Sequence, residues 1–579
     1  MLLANLSLTA RRSVSHRLAV IFFALIVSVP IAWALFAVAG QALDSAALHA
    51  LWQQPQARSA LALSVWTALV SGVLAWLTAA RLLAIGFVHQ TLMRWMQHLP
   101  ALLATPHAAM AIALVLWLSP SGWLLRLVSP TLTGFQSPPD WSTTQDPWGL
   151  GLILALWLKE VPFLLWIGAT QLRRDDIRRR WQSEYGLAQT LGYPPSAAFA
   201  RVVWPQLALT LRWPLLAVVA YGLGVVDMAL ILGPTTPPTF AVLSWQWLGD
   251  ANVAQQAMGA VAAGVLTGCV ALMAALIMYG RATRWLLLVR GTMAVVQWPP
   301  LTTPVSLATS AHGVPPRWTV RAKRYAHSYG LWAALLVAYL LSWFALAVGS
   351  VSGLWPFPHV WPAQWTMGAW QQVGRSTATL WNTFALALAS ATCCMAWCMA
   401  WLELAPRAWH AALRPWLLLP MVLPAIVWVI GLYSVALFVR LEGQWLGLIG
   451  AHAVMVLPYV LLALEPAYQS VDARQGAVAA SLGRSRWAYL FAVKWPQLMP
   501  ALMAAWAIGF AVSVAQYLPT LYVGAGRFDT VTTEAVTLAA NGQRTFMSAY
   551  AALQMLLPIA IFWLASVMGR PRQFARSAS

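Results

Sequence analysis

Apolar residues run along this chain in blocks long enough to cross a lipid bilayer. A helix of about 20 apolar residues spans the hydrocarbon core, and a helix satisfies all of its backbone groups there. Twelve such blocks predict an all-α polytopic membrane protein. The predicted spans are 18–40, 59–84, 96–118, 148–171, 206–233, 256–279, 329–350, 377–402, 415–438, 445–467, 497–524 and 546–568.

Prolines make two of these blocks the least regular, and the first block resembles a targeting segment. The third and ninth are interrupted by Pro100, Pro106, Pro420 and Pro424, which membrane helices tolerate when neighbouring groups bind the freed carbonyls. The first block is longer than the apolar region of a signal peptide and lacks a clear cleavage site. We therefore interpret it as an uncleaved first helix.

Composition agrees with a lipid environment. Of the 579 residues 60 % are hydrophobic and only 9 % charged, and the mean hydropathy is +0.68. Soluble domains carry about 25 % charged residues. The net charge of +20 would suggest a nucleic-acid partner in a soluble protein, but basic residues also retain membrane-protein loops in the cytoplasm.

The placement of the basic residues decides between these two explanations. With both termini in the cytoplasm, 28 of the 35 Lys and Arg residues fall on the cytoplasmic side, six fall outside, and Lys159 lies within a span. This asymmetry predicts cytoplasmic termini. It also explains the net charge of +20 without a nucleic-acid partner. We therefore expect membrane lipid to surround the protein. The four cysteines lie in apolar blocks, where we interpret them as packing residues.

The chain contains an internal repeat. Residues 191–207 read LGYPPSAAFARVVWPQL and residues 482–498 read LGRSRWAYLFAVKWPQL, with eight of 17 positions identical. Each copy falls between the fourth and fifth span of its half, on the predicted cytoplasmic side. Such a repeat predicts two parallel six-helix halves. We place the first half at 1–290, a Pro-rich linker at 291–325 and the second half at 326–579.

The repeated loop resembles the EAA loop of bacterial ABC importer permeases, in which E-A-A and a Gly precede an apolar stretch that ends in Pro. The resemblance implies the type I importer permease fold and a short coupling helix at 184–204 and at 475–495. The coupling residues it implies are Gly186, Ala188, Leu191, Gly192, Phe199, Pro205, Ala477, Ala479, Leu482, Gly483, Leu490 and Pro496. Gly186 and Ala477 stand where the family usually has Glu, so the salt bridge of that position is in doubt.

The family resemblance also implies partners and a location. Stretches 222–245 and 513–538 resemble fused permeases of the thiamine and ferric-iron type, including a poorly characterised thiamine-type permease. Such permeases lie in the bacterial inner membrane and work with two copies of an ATPase and a periplasmic solute-binding protein. No GxxxxGK[ST] phosphate loop is present, so we expect ATP hydrolysis on a separate subunit. We expect no catalytic residue, cofactor or metal ligand.

Three polar residues in or near the spans are candidates for the translocation path: Asp227, Gln516 and Glu160. Ionisable groups at membrane depth are costly and often functional. A hydrogen bond or ion pair that locks adjacent helices is the alternative for Glu160 and Asp227. Related permeases often carry an acid near Asp227, in the helix that lines the cavity. The pairing of Asp227 with the Gln516 region weakly favours a cationic or polar solute.

Two questions stay open at this level. A stand-alone secondary transporter with twelve spans is the alternative function, although residues 81–96 lack the Gly/Asp/Arg signature of the major facilitators and the repeated loop has no role there. A lipid-modifying enzyme is disfavoured by the missing catalytic motifs. The outer loop 119–147 is either a docking surface for the binding protein or a passive connection.

Overall fold

The computed structural model describes residues 2–279, 317–472 and 474–569, and the regular structure in these ranges is helical. Within them, the isolated bridge between Ser352 and Trp365 is the one pairing of strand type. A helix forms its backbone hydrogen bonds within one segment, which suits long apolar blocks in lipid. The all-α prediction is confirmed.

The part of the chain before residue 280 forms a first series of helices. They are Leu2–Ala42, Ser45–Gln53, Ala57–Val88, Leu92–Trp95, Leu99–Ala104, His107–Leu118, Trp123–Val128, Leu150–Arg173, Asp175–Thr190, Pro195–Ala198, the π-helix Phe199–Val203, Trp204–Gly224, Asp227–Leu232, Phe240–Leu248 and Val253–Tyr279.

A second series follows from residue 317. Its helices are Arg317–Ser350, Gly368–Arg375, Thr377–Leu404, Arg407–Leu417, Leu419–Val422, Ala425–Phe438, Trp445–Gln469, Arg474–Ser481, Arg486–Tyr489, the π-helix Leu490–Lys494, Trp495–Val514, Leu518–Val523, Val531–Ala540 and Arg544–Met568. Of the predicted linker, residues 291–316 lie outside the described residues, while 317–325 begin the first helix of this series.

Eleven of the described helices are long and apolar enough to cross a membrane. A twelfth span is formed if the pair Arg407–Val422 and Ala425–Phe438, bent by 107°, counts as one. The expected number of spans is therefore confirmed, whereas several boundaries differ. We number the spans from first to twelfth in chain order and count the bent pair as the ninth.

The proline-rich spans begin differently from the prediction. The third span is His107–Val128, and the residues predicted as its start form the short helices Leu92–Trp95 and Leu99–Ala104. Pro106 precedes it with extended backbone, as Pro424 precedes Ala425–Phe438. Proline has no amide hydrogen to continue a helix, so each proline starts a new one.

The fifth and eleventh spans end between two and three helical turns earlier than predicted. The fifth span ends at Gly224 and the eleventh at Val514, and after each break a separate helix follows, Asp227–Leu232 and Leu518–Val523. In the second case Pro519 cannot donate to the preceding turn. Each break therefore exposes backbone groups inside the protein.

The first span of each half packs against the third span of the other half. Ala34 lies so close to Gly431 that a side chain there would clash with it, and Gly349 packs against Leu116 in the same way on the other side. Small residues allow membrane helices to approach closely. The two halves therefore exchange their first spans.

The two ends of the bundle differ. We call the end that carries Gly192 and Gly483 the repeat end. At the opposite end, buried Arg126 binds the loop 119–147 to the segment 351–366. Its guanidinium donates to the carbonyls of Ser121, Trp355, Pro356 and His359 at 2.6–3.0 Å. These hydrogen bonds hold the loop against the second half.

Candidate functional site

The repeated segments fold in the same way in both halves. The π-helices Phe199–Val203 and Leu490–Lys494, and the long helices that begin at Trp204 and Trp495, lie at equivalent positions 291 residues apart. In front of each lies a helix that ends at an equivalent residue, Thr190 or Ser481. The sequence repeat is therefore a structural repeat at the same register.

Both helices of the repeat end with a left-handed glycine. Gly192 has φ +87° and Gly483 has φ +71°. The Gly192 amide donates to Gln189 O at 3.0 Å and the Tyr193 amide to Ala188 O at 3.1 Å, with the same pair of bonds in the second copy. This Schellman arrangement satisfies the last carbonyls of the helix. It requires a residue that adopts positive φ readily, which glycine does.

The turn after each helix presents apolar side chains to the outside. Leu191 and Leu482 are 71 % and 72 % exposed, and Leu187 and Val478 are exposed beside them. Large apolar side chains grouped on a surface mark a binding site or a lipid contact. The two equivalent groups form what we call the coupling surfaces: Leu187, Leu191 and Gly192 in the first half, and Val478, Leu482 and Gly483 in the second.

The other predicted coupling residues divide into three groups by exposure. Ala477 and Pro496 are exposed, and Gly186, Ala479 and Pro205 are partly exposed. Ala188, Phe199 and Leu490 are buried, so the expectation that Phe199 and Leu490 offer side chains to a partner is wrong. Phe199 instead packs on the ring of Phe87 with centroids 5.3 Å apart, because the π-helix turns this residue toward the bundle.

The first helix of the repeat is fastened to the start of the fifth span. Gln206 accepts a hydrogen bond from the Trp181 indole at 2.8 Å and donates to Glu184 at 2.7 Å. Glu184 also accepts from Arg180 at 2.8 Å. The hydrogen bonds from Arg180 and then Gln206 lower the pKa of the Glu184 carboxyl. The helix is therefore joined to the span that it precedes through Gln206.

The breaks in the fifth and eleventh spans are also equivalent. The last carbonyl of Asp227–Leu232 accepts from the Gln145 amide at 3.1 Å, and that of Leu518–Val523 accepts from the Gly443 amide at 2.9 Å. At the first break, a side chain on Gly224 would lie 2.6 Å from Pro424 of the other half. The broken helices therefore lie where the two halves meet.

The structure places two of the path candidates at these breaks but not opposite each other. Asp227 begins the first short helix, and the 291-residue spacing puts Leu518 at its position and Gln516 opposite Val225. Gln516 therefore lies two residues before the position equivalent to Asp227. Asp227 is half-buried and lies within electrostatic reach of Tyr221 and Tyr517.

The third path candidate belongs to a buried polar group in the fourth span. Lys159 donates to the carbonyls of Leu102 and Thr105, which Pro106 leaves without helix partners. Glu160 Oε1 lies 3.9 Å from His107 Nε2. These contacts hold the fourth span against the break before the third, in line with the helix-locking alternative stated for Glu160.

Comparison with known proteins decides the family. Over 525 residues the chain is 33 % identical to the inner membrane ABC transporter permease protein YnjC of Escherichia coli K12, and the match covers 90 % of each chain. The chain belongs to the ABC transporter permeases. The spermidine/putrescine transport permease PotC of Haemophilus influenzae is 23 % identical over 154 residues, which is 27 % of this permease and 60 % of PotC.

A third relative supports the same family. The molybdenum transport permease ModB of H. influenzae is 25 % identical over 133 residues, 23 % of this permease and 48 % of ModB. No protein-family model matches the permease. The full-length similarity to YnjC and the partial similarity to the others show a fused ABC permease that lies in the inner membrane and crosses it repeatedly.

Sequence reasoning missed a polar cluster near the repeat end of the permease. The Glu465 carboxylate is buried and accepts from His410 and Arg414, each at 3.0 Å. The Trp401 indole donates to His410 Nδ1 at 3.0 Å, so Nε2 carries the proton that binds Glu465. The histidine and arginine four residues apart on an apolar helix were the available signal.

A second buried histidine also went unnoticed. His452 in the tenth span has both ring nitrogens bound, to Ser513 at 2.9 Å and to Thr520 at 3.0 Å. Ser513 and Thr520 flank the break of the eleventh span, so His452 fixes the short helix after the break. A lone histidine in an apolar block is a weak signal, since it does not reveal its partners. Among the described residues, no group of three or more His, Cys, Asp or Glu could hold a metal ion.

Proposed function

We propose that this permease serves an ATP-driven, binding-protein-dependent importer of the thiamine or ferric-iron type, and that one chain supplies both permease halves. Residues 1–290 form the first half and 326–579 the second in this proposal. The equivalent π-helices, the equivalent breaks and the exchanged first spans support two parallel halves that arose by duplication.

The coupling surfaces are the single observation that carries the proposal. Each offers an exposed leucine beside a rigid glycine turn, at one end of the bundle and in equivalent positions. An exposed apolar side chain fits a groove of a partner, and two equivalent surfaces fit two copies of the same ATPase. The repeat end is then cytoplasmic, as are both termini, in agreement with the basic residues near these loops.

The opposite end would receive the periplasmic solute-binding protein. Arg126 ties the loop 119–147 to the second half through the carbonyls of Trp355, Pro356 and His359. A loop held in one place provides a pre-organised surface, which reduces the ordering cost of docking. The second half has a short connection at the corresponding place, so the two lobes of a binding protein would meet different surfaces.

The solute would pass between the halves beside the two breaks. Asp227 and Gln516 would border this path, with Tyr221 and Tyr517 near the carboxylate. A carboxylate among aromatic rings favours a cation or a polar solute. By contrast, Glu160 lies beside His107 and beside the contacts of Lys159. These neighbours favour a structural role for Glu160.

Site-specific photo-crosslinking tests the proposed docking. A photoreactive amino acid replaces Leu191 or Leu482 in the permease expressed in its native membrane. Each should give an adduct with an ABC ATPase on illumination. Leu446, which is 70 % exposed at the opposite end of the tenth span, is the matched control and should give none. Adducts with lipid alone at both leucines would refute ATPase docking.

A further inference from the structure

A carboxylate at the end of the eighth span holds the second copy of the repeated loop. Glu403 lies in the last turn of Thr377–Leu404. Its Oε2 accepts from Lys494 Nζ at 2.6 Å and from the Tyr468 hydroxyl at 2.8 Å. Its Oε1 and its backbone carbonyl each accept from the Arg486 guanidinium at 3.0 Å. Four hydrogen bonds therefore converge on one residue.

Three spans meet at this carboxylate. Glu403 belongs to the eighth span, Tyr468 to the tenth, and Arg486 and Lys494 to the segment that leads into the eleventh. Lys494 Nζ also lies 4.1 Å from the centroid of the Tyr468 ring, and the Trp495 indole donates to the Tyr468 hydroxyl at 3.5 Å. Residues 486–494 are therefore in direct contact with two other spans.

The attachment is largely shielded from solvent. The side chains of Glu403 and Lys494 are 16 % and 14 % exposed. Removal of one member of a buried ion pair leaves the other charge without compensation, whereas an exposed pair contributes little. The Glu403–Lys494 pair therefore resists separation, while Arg486, which is 53 % exposed, is the weaker member of the group.

The first half has no such attachment at the equivalent positions. At the 291-residue spacing, Pro195 replaces Arg486 and Val203 replaces Lys494. The first loop is instead held by the Trp181, Gln206 and Glu184 contacts at the start of its own fifth span. The rings of Tyr185 and Phe199 also pack on Phe87 of the second span. The two loops are thus connected to the membrane helices by different groups.

We infer that Glu403 is a positioning residue that transmits movement of the second coupling loop to the eighth and tenth spans. The inference rests on the proposed docking of an ATPase at the coupling surfaces, since only then does the loop move with nucleotide. It gives the two halves different connections: hydrogen bonds and an ion pair join the second loop to the eighth and tenth spans, whereas ring contacts join the first loop to the second span.

Hydrogen exchange of the complex with its co-purified ATPase tests this inference. The complex is placed in lipid nanodiscs and compared with and without a non-hydrolysable ATP analogue and Mg²⁺. In the unaltered protein, nucleotide should change exchange in residues 474–494 and at the end of the eighth span, 395–404. In Glu403→Gln the change in 474–494 should persist, and the change in 395–404 should fall to less than half.

The controls separate transmission from folding and from the proposed function. Glu442→Gln removes a carboxylate at the opposite end of the tenth span and should respond like the unaltered protein. Arg486→Gln keeps the buried pair, so it should assemble even if Glu403→Gln does not, and should weaken the response in 395–404. An unchanged response in both variants would overturn the inference. A complex that never responds to nucleotide, or never contains an ATPase, would overturn the proposed function instead.

Discussion

Replacement of the left-handed glycines should loosen the coupling surfaces without disturbing the bundle. Gly192 and Gly483 have φ of +87° and +71°, and a Cβ at either position would meet no atom within 4 Å. A substitution there is therefore opposed by backbone strain and not by a clash. A residue other than glycine costs about 1–2 kcal/mol in this region, and a β-branched side chain adds to that cost.

The expected change follows from the two hydrogen bonds that each turn makes. In Gly192→Val, the amides of residues 192 and 193 should lose protection, since both bonds depend on the positive φ. An opening free energy lower by about 1–2 kcal/mol raises hydrogen exchange by about 5–30-fold. The double variant Gly192→Val with Gly483→Val should remain in the membrane but transport slowly.

Two matched variants isolate the backbone effect. Gly192→Asn should retain most of the protection, because asparagine adopts the left-handed conformation more readily than valine. Gly186→Ala lies in the same helix, also has open space and has no positive φ, so it should stabilise the helix by about 0.5–1 kcal/mol. Equal exchange in the valine and asparagine variants, or normal transport by the double variant, would refute the argument.

Three further changes test other parts of the molecule. Asp227→Asn should slow uptake with little effect on assembly or on basal ATP hydrolysis, whereas an assembly defect with normal transport would indicate a structural role. Glu465→Gln should destabilise the detergent-solubilised protein by about 1–3 kcal/mol, because the carboxylate that accepts from buried His410 and from Arg414 is lost. The measurement is a lower Tm than that of Glu442→Gln. The pKa of Glu184 is lowered in the folded protein, so the stabilisation by its carboxylate is complete above the unfolded pKa and is lost as pH falls through the folded pKa. Over that fall in pH, the hydrogen-exchange protection of residues 181–190, corrected for intrinsic exchange, should decrease. It should not decrease in Glu184→Gln.

The spans and the repeat were predictable because they depend on local sequence. The length of an apolar block is visible in the sequence, and about 20 residues are enough to span the membrane. The repeated L-G and W-P-Q-L residues mark the glycine turn and the start of the following helix at the same spacing in both halves. The left-handed glycines could be placed for the same reason, since a helix end of this kind is formed within a few residues.

The breaks and the polar clusters were not predictable because their causes are distant in sequence. The fifth span ends at Gly224 without a proline, at a point where Pro424 of the other half lies against it. Glu403 binds Lys494, and Glu465 binds His410, and each partner is distant in sequence. A carboxylate within an apolar block indicates that a partner exists, but periodicity does not identify which one.

ATP hydrolysis by the purified chain tests the central claim most directly. The account predicts that the chain alone, in detergent or nanodiscs, hydrolyses ATP no faster than the empty preparation. The complex isolated from native membranes should hydrolyse ATP and should contain two ATPase copies for each permease chain by native mass spectrometry. Sustained hydrolysis by the chain alone, free of any co-purified ATPase, would contradict the account.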